Sequence, residues 1–178
     1  MAHRVQASID LKALQHNFSI ARSRAKASHI AAIIKANAYG HGLEHSALAL
    51  NDADLFGVTD VHEALALKNT GISKPILVLQ GLIHADELQL IVEHNFELVV
   101  HSSSQLTMID EALSKITIKK PLTFWLKMDT GMGRLGIEPN GFATTYKALL
   151  GRPYTGAVNM MTHLANSSIP DSSLNLQQ

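Results

Sequence analysis

Short apolar runs alternate with segments of helical spacing along most of the chain, and this alternation limits the possible folds more than any other feature. The apolar runs lie near residues 31–36, 55–59, 76–80, 97–101, 122–128 and 155–163. They lack the period-two polarity of strands that have one face in water, which is typical of parallel strands covered by helices on both faces. Strands alternating with helices of about ten residues indicate βα units. Asp10 is a candidate N-cap for the first helix. The sequence therefore predicts a parallel α/β fold.

The number of βα units falls short of a closed barrel. A (β/α)8 TIM barrel needs eight strands and typically about 250 residues, whereas this sequence has 178 residues and six apolar runs. No linker or low-complexity segment divides it, which predicts one domain over residues 1–178. The last stretch, "NSSIPDSSLNLQQ", has the pattern of a polar loop with the start of another helix. We therefore expect an incomplete, truncated barrel of TIM type with about six of the eight units.

Composition excludes several classes of function. The chain has 15 basic and 15 acidic residues and a formal net charge of zero, which gives nucleic-acid or membrane-surface binding no electrostatic support. It has no cysteine, so disulfides, thiolate zinc sites and cysteine nucleophiles are excluded. No apolar run approaches the roughly 18 residues of a membrane span, and the first residues lack the apolar stretch of a secretory signal. A soluble cytoplasmic protein is expected.

Three predicted strands end in residues that can take part in chemistry. The first ends at Lys35, the fifth runs into "LKMDTGMGRLG", and the sixth ends in "MMTHLAN", which contains His163. In parallel α/β proteins the ligand site lies at the carboxyl ends of the strands. We therefore expect these side chains to lie at the same rim of the fold.

Lys35 has two interpretations. Its amine could simply reach solvent from the end of a strand. Alternatively, Ile33, Ile34 and their neighbours could desolvate the amine, which lowers the pKa of a lysine and makes it a Schiff-base nucleophile or proton acceptor. The following "NAYGHG" places a phenol, an amide and glycines at a strand-to-helix turn.

Arg134 stands in a glycine-rich segment with glycines at positions 131, 133 and 136, which permit close approach of the backbone to a ligand. Its guanidinium could hold a carboxylate or phenolate through directional hydrogen bonds. The alternative is a surface turn in which Asp129 holds the arginine. His163 is either a histidine satisfied within the core or a site residue at the same rim as Lys35.

A rival motif overlaps this region. His41, Glu44 and His45 match the H-x-x-E-H pattern of zinc peptidases. Residues i and i+4 share a helix face and could bind one Zn²⁺. The pattern is short, however, and glycine at position 42 weakens the start of the helix. Two solvent-facing histidines are therefore the favoured interpretation, and no metal is expected.

These stretches together resemble the alanine racemase family, whose members use pyridoxal 5'-phosphate and combine an N-terminal (β/α)8 barrel with a C-terminal β domain. "IIKANAYGHG" is similar to that family's cofactor-lysine signature almost letter for letter. "LKMDTGMGRLG" and "MTHLAN" follow in the same order at similar spacings, and "ASIDLKALQHNF" resembles the start of the family. The resemblance runs from about residue 4 to the end of the chain.

The resemblance assigns roles to individual residues. It makes Lys35 the Schiff-base partner of the cofactor aldehyde and, once substrate displaces it, the catalytic acid/base on one face of the α-carbon. Tyr39 would hold the cofactor phosphate. Arg134 would lie by the ring hydroxyl and the substrate carboxylate. His163 would bind near the cofactor ring. Lys127 corresponds to a position that is carbamylated in some members, which turns a cation into an anion able to orient Arg134.

The resemblance also implies an activity and its setting. It implies an isomerase that interconverts L- and D-alanine through a pyridoxal-phosphate aldimine and supplies D-alanine for peptidoglycan in the cell wall. The expected protein is a cytoplasmic homodimer without nucleic-acid or membrane partners. The family's remaining phosphate-binding loops and its C-terminal domain, with the tyrosine base for the opposite face, would lie beyond residue 178. We therefore expect this chain alone to be inactive as a racemase. A non-catalytic pyridoxal-phosphate carrier or homeostasis protein is the alternative.

Overall fold

The computed structural model describes residues 5–178. The first four residues of the predicted 1–178 domain lie outside the described part. The chain divides into two compact units, an N-terminal unit that ends at Ile76 and a C-terminal unit over Leu77–Gln178. Within the described residues there are six strands and eight helical segments.

The N-terminal unit alternates helices with two parallel strands. Its elements are α1 (Leu11–Ala25), β1 (Ala31–Ile33), α2 (Lys35–Tyr39), α3 (Leu43–Ala49), β2 (Leu55–Val58) and α4 (Val61–Asn69). β1 pairs with β2 in parallel, with Ala32 opposite Phe56. Asp10 caps α1 as predicted, because its carboxylate accepts from the N–H groups of Lys12 at 2.9 Å and Ala13 at 3.1 Å.

The C-terminal unit repeats this strand–helix alternation. From the boundary onwards its elements are β3 (Ile76–Val78), α5 (Glu87–His94), β4 (Glu97–Val100), α6 (Ser103–Leu113), β5 (Leu122–Lys127), α7 (Pro139–Leu150), β6 (Thr155–Met161) and α8 (Ser173–Gln177). β3 to β6 pair in chain order, and every pair is parallel. The parallel pairing and the strand–helix alternation agree with the predicted α/β class.

The prediction that every strand is buried on both faces is correct only for some of them. β2 and β3 are buried throughout, and β4 is buried except at its first residue. In β5 buried residues alternate with half-buried ones, and β6 has no buried residue. β6 lies at the edge of its sheet and pairs with β5 alone among the described strands. Apolar composition therefore did not distinguish this edge strand from the interior ones.

An ion pair holds α1 against the loop before β2. The Arg22 guanidinium lies 2.7 Å from the Asp54 carboxylate and also donates to the Asp52 carbonyl. The Ile30 N–H donates to the same carboxylate at 2.7 Å. The pKa of Asp54 lies well below its ordinary value of 3.8, chiefly because its carboxylate accepts a hydrogen bond from the Ile30 N–H. Hydrogen bonds with the side chains of Arg22 and His29 lower this pKa further.

Replacing Asp54 with asparagine is expected to lower the free energy of unfolding in a pH-dependent way. A carboxyl whose pKa is depressed by folding stabilises the native state above its unfolded pKa, and this contribution is lost as pH falls through the folded value. The free energy of unfolding that Asp54→Asn loses should therefore be largest near neutral pH and should shrink in acid below pH 3.8. Urea unfolding over a pH series measures it. Asp52→Asn is the control, because the Asp52 carboxylate makes no hydrogen bond or ion pair within residues 5–178. Equal deficits at every pH would contradict the assignment.

No helix within residues 5–178 is long and apolar enough to cross a membrane.

Candidate functional site

The segment that follows β1 adopts a left-handed turn. Ala36, Asn37, Ala38 and Tyr39 have φ angles of 52°, 54°, 53° and 53°. The Ala38 N–H closes the turn by donating to the Ile34 carbonyl at 2.8 Å. L-residues in this conformation cost roughly 1–2 kcal/mol each. Strain of this kind persists only where the surrounding structure enforces it, and it is concentrated at functional sites.

This turn carries two of the predicted site residues. The predicted strand over 31–36 ends at Ile33, so Lys35 opens the helical segment α2 and does not lie on the strand. The Lys35 side chain is half-buried, whereas Tyr39 is 61% exposed. Neither side chain has a hydrogen-bond or ion-pair partner within residues 5–178. Of the two isoleucines expected to desolvate Lys35, Ile34 is buried and Ile33 is 41% exposed. The turn therefore presents an amine and a phenol that are available to a ligand.

Asn37 is the centre of the hydrogen bonds that shape the turn. Its carbonyl accepts from the N–H groups of Gly40 at 3.1 Å and Gly42 at 3.0 Å. Its side-chain oxygen accepts from the Leu43 N–H at 2.8 Å, at the start of α3. Its own N–H donates to the Glu63 carboxylate at 3.1 Å. Sequence reasoning did not identify Asn37 or Glu63 as site residues.

The geometric premise of the zinc motif is wrong. α3 begins at Leu43, and its N-cap Gly42 has a φ of 93°, so His41 lies outside the helix and does not share a helical face with His45. The His41 Nδ1 instead lies 2.9 Å from the Ala38 carbonyl oxygen. Within the described part of the chain no three metal-ligating side chains come together at one point.

Arg134 lies on a closed loop between β5 and α7. The Ile137 N–H donates to the Lys127 carbonyl at 2.8 Å, and the Asp129 N–H donates to the Ile137 carbonyl at 3.0 Å, which joins the two ends of the loop. At Gly136, φ is +143°, and a Cβ atom there would overlap the Asp129 backbone nitrogen. The close approach that this glycine permits is therefore to the loop's own backbone, and not to a ligand as the sequence suggested.

The Asp129 carboxylate organises this loop from within. One of its oxygens accepts from the N–H groups of Gly131 at 2.9 Å and Gly133 at 3.0 Å. These two hydrogen bonds, the Gly131 bond first, lower the pKa of Asp129. Arg134 is exposed and makes no hydrogen bond or ion pair within residues 5–178. The alternative that Asp129 holds Arg134 is therefore wrong, and the guanidinium is available to an anion.

Lys127 is the last residue of β5. Thr123, Trp125 and Lys127 form the half-buried face of this strand, and Lys127 stands opposite Met161 of β6. Its backbone carbonyl anchors the Arg134 loop, as described above. The carbamylation of Lys127 stays a prediction.

His163 lies beyond β6, because the strand predicted to reach residue 163 ends at Met161. The residue is exposed, so the interpretation as a histidine satisfied within the core is wrong. Its neighbour Thr162 lies 2.7 Å, hydroxyl to hydroxyl, from Thr130, and it donates to the Met128 carbonyl at 3.2 Å. The segment with His163 and the loop with Arg134 are therefore joined within the C-terminal unit.

The predicted residues thus fall into two local groups. Lys35 and Tyr39 share the left-handed turn of the N-terminal unit. Lys127, the Arg134 loop and the His163 segment adjoin one another in the C-terminal unit. Sequence reasoning missed the polar residues that support these groups. One local signal was present, because Asp60 lies three residues before Glu63 and this spacing resembles the capping box that marks the start of a helix.

The family model for the alanine racemase N-terminal domain matches residues 9–178. The chain belongs to the alanine racemase family. The resemblance inferred from the lysine, arginine and histidine motifs is therefore confirmed. Among curated relatives, the alanine racemases of Pseudomonas entomophila and Edwardsiella ictaluri are each 44% identical, over 97% and 93% of this chain. Those alignments cover 47% and 45% of the relatives, so the chain spans about half the length of the alanine racemases that it matches.

Solved alanine racemases share the fold. The biosynthetic enzyme from Pseudomonas aeruginosa superposes with a TM-score of 0.84 at 34% identity, over 95% of this chain and 46% of that one. The enzyme from E. faecalis gives a TM-score of 0.85 at 27% identity, over 95% of this chain and 46% of that one. The predicted class, a parallel α/β fold that forms part of a (β/α)8 barrel, is confirmed by these likenesses.

Proposed function

We propose that this chain provides the lysine-bearing, pyridoxal-phosphate-binding half of an alanine racemase. The observation that carries the proposal is the left-handed turn, which lies within the family match and presents the Lys35 amine and the Tyr39 phenol without internal partners. Relatives that are 44% identical over nearly the whole chain are alanine racemases. Because the chain spans about half their length, the proposal concerns what this half contributes.

The residues present fit pyridoxal 5'-phosphate. An aldehyde requires an available amine, and Lys35 has one. A phosphate accepts hydrogen bonds, and the Tyr39 hydroxyl, whose side chain is 61% exposed, can donate one. Gly40 has no atom within 4 Å of where a Cβ would stand, so the backbone after Tyr39 is open to close approach. We therefore assign cofactor binding to Lys35 and Tyr39. For Arg134 and His163 of the C-terminal unit, the proposed cofactor contact rests on the family motifs alone.

The side chains would divide the remaining work. Bound pyridoxal phosphate supplies an electron sink that makes the α-proton of an amino acid removable. The Lys35 Nζ atom would hold or release that proton on one face of the α-carbon. The Arg134 guanidinium would orient the substrate carboxylate through paired hydrogen bonds, which a lysine could not reproduce. Carbamylation of Lys127 would add a negative charge that orients Arg134.

The biological setting is part of the same proposal. We propose alanine as the substrate, a homodimeric assembly of the longer protein, a cytoplasmic location and a supply of D-alanine for peptidoglycan. The support is the alanine racemase identity of the curated relatives.

The test distinguishes a racemase half from a non-catalytic carrier. The 178-residue chain is incubated with pyridoxal phosphate and either L-alanine or D-alanine in deuterated buffer, and both α-deuterium in the supplied enantiomer and formation of the opposite enantiomer are followed. One amine reaches one face of the α-carbon, so we expect deuterium to enter one of the two supplied enantiomers faster than the opposite enantiomer forms. The chain that carries Lys35→Ala should lose this exchange by about 10²-fold or more, as for removal of a general base.

Two results would contradict the proposal. Cofactor uptake without any exchange would indicate a carrier. An opposite enantiomer that appears as fast as deuterium enters the supplied one would place a second base within these 178 residues, and the assignment as one half of the site would be wrong.

A further inference from the structure

The Glu63 carboxylate contacts the backbone of the left-handed turn that follows Lys35. One oxygen of Glu63 accepts from the Asn37 N–H at 3.1 Å, and the other accepts from the Thr59 N–H at 2.8 Å. Asp60 fixes the start of α4 by accepting from the Glu63 N–H at 2.9 Å. The carboxylate therefore links the turn after β1 to the loop after β2, within the N-terminal unit.

The hydrogen bond from Asn37 to Glu63 lies between the two predicted cofactor-binding residues of the turn. Asn37 lies two residues after Lys35 and two residues before Tyr39, and it is the second of four successive non-glycine residues with positive φ. A left-handed turn of L-residues is strained, so it needs partners that favour it over right-handed or extended backbone. A hydrogen bond from a backbone N–H to a carboxylate is charge-assisted and among the stronger bonds available. Glu63 is thus well placed to hold the turn.

We propose that Glu63 is a positioning residue for the cofactor lysine. By holding the Asn37 and Thr59 N–H groups at once, it keeps the left-handed turn in place and so sets the direction of the Lys35 amine and the Tyr39 phenol. This inference rests on the proposed function, because the amine is placed for the aldehyde of pyridoxal phosphate. It extends that function by naming the residue that orients the lysine.

The simpler interpretation is that Glu63 only stabilises the start of α4. Glu87 shows what such a residue looks like in this chain. It lies in the first turn of α5, and one of its oxygens accepts from the N–H groups of Ile83 at 3.0 Å and His84 at 3.1 Å. All its contacts are therefore local, whereas Glu63 also reaches a segment 26 residues away. Glu87 is the matched control.

The experiment compares Glu63→Gln with Glu87→Gln in the 178-residue chain. The amide oxygen of glutamine can accept one hydrogen bond, but its NH2 group would face the other backbone N–H. Amide hydrogen exchange of residues 36–39 reports on the turn without any cofactor. Reductive labelling with pyridoxal phosphate and cyanoborohydride, followed by peptide mass analysis, reports how the label divides between Lys35 and Lys68. Urea unfolding gives the stability of each variant.

We expect Glu63→Gln to raise exchange in residues 36–39 by about tenfold, the effect of losing one charge-assisted hydrogen bond. The ratio of label on Lys35 to label on Lys68 should fall by a similar factor. Glu87→Gln should leave both measurements unchanged, even if it lowers the unfolding midpoint as much. A role confined to α4 would move the midpoint, the exchange of the first turn of α4 and the label on Lys68, which lies in the same helix, but it would not lower the label on Lys35.

The outcomes separate this inference from the proposed function. Unchanged exchange of residues 36–39 in Glu63→Gln, or faster exchange with an unchanged labelling ratio, would overturn the positioning role. A wild-type chain that takes no label on Lys35 would overturn the cofactor assignment. Exchange of residues 36–39 would then still decide whether Glu63 holds the turn.

Discussion

Lys35→Ala is expected to abolish the covalent capture of pyridoxal phosphate by this chain. The amine is the group that an aldehyde requires, and alanine has none. The structural cost should be small, because the lysine side chain makes no hydrogen bond or ion pair within residues 5–178, and its own φ is not positive. We expect the absorption band of the lysine-bound cofactor near the edge of the visible range to disappear. The unfolding midpoint should change little.

Lys68→Ala is the control for this experiment. Lys68 lies in the last turn of α4, away from the left-handed turn in sequence, and its removal should leave the band and the borohydride-reduced adduct in place. Peptide mass analysis of the reduced wild-type chain should locate the adduct on Lys35. An adduct on Lys127 or Lys68 would contradict the assignment.

Gly136→Ala is expected to be the most destabilising small substitution in the Arg134 loop. Its φ of +143° disfavours an L-residue, and the added Cβ would overlap the Asp129 nitrogen and lie 2.7 Å from the Met128 carbonyl carbon. Backbone atoms at the base of the closed loop cannot move aside without breaking the hydrogen bonds that join Ile137 to Asp129 and Lys127. We expect a loss of about 3 kcal/mol in the free energy of unfolding.

Gly133→Ala separates the steric effect from the conformational one. Gly133 also has a positive φ, +68°, but no atom lies within 4 Å of its hypothetical Cβ. This variant should therefore lose only about 1 kcal/mol, the cost of a left-handed L-residue. Urea unfolding of both variants measures the difference. Equal losses would mean that the contact at the base of the loop does not limit the substitution.

Local sequence predicted the order of elements well, because apolar period and capping act over a few residues. The Asp10 cap follows from such a signal. The end of the first strand did not, because "IAAIIKA" remains apolar past Ile33 while the backbone turns left-handed. No propensity favours positive φ angles at four successive non-glycine residues, two of them alanines. Tertiary contacts impose that conformation.

The supports of the site could not be predicted, since they join residues far apart in the chain. The bond from Asn37 to Glu63 spans 26 residues, and that between Thr130 and Thr162 spans 32. Each requires knowledge of which strand ends are neighbours. The alternative in which Asp129 holds Arg134 fails for a different reason. Its carboxylate accepts from N–H groups two and four residues ahead, a local alternative that competes with an arginine five residues away.

In the left-handed turn after β1, solvent exposure of a residue does not mean that its position tolerates substitution. Ala36, Asn37 and Tyr39 are exposed, and exposed positions usually accept substitution within about 0.5 kcal/mol. Here each position must keep a backbone angle that β-branched residues oppose, so valine, isoleucine and threonine would be costly although the positions are exposed. Glycine would suit the angle but would make the unfolded chain more flexible. Directed evolution of this protein would therefore find a rigid constraint on its surface, at a segment that burial alone would mark as free to vary.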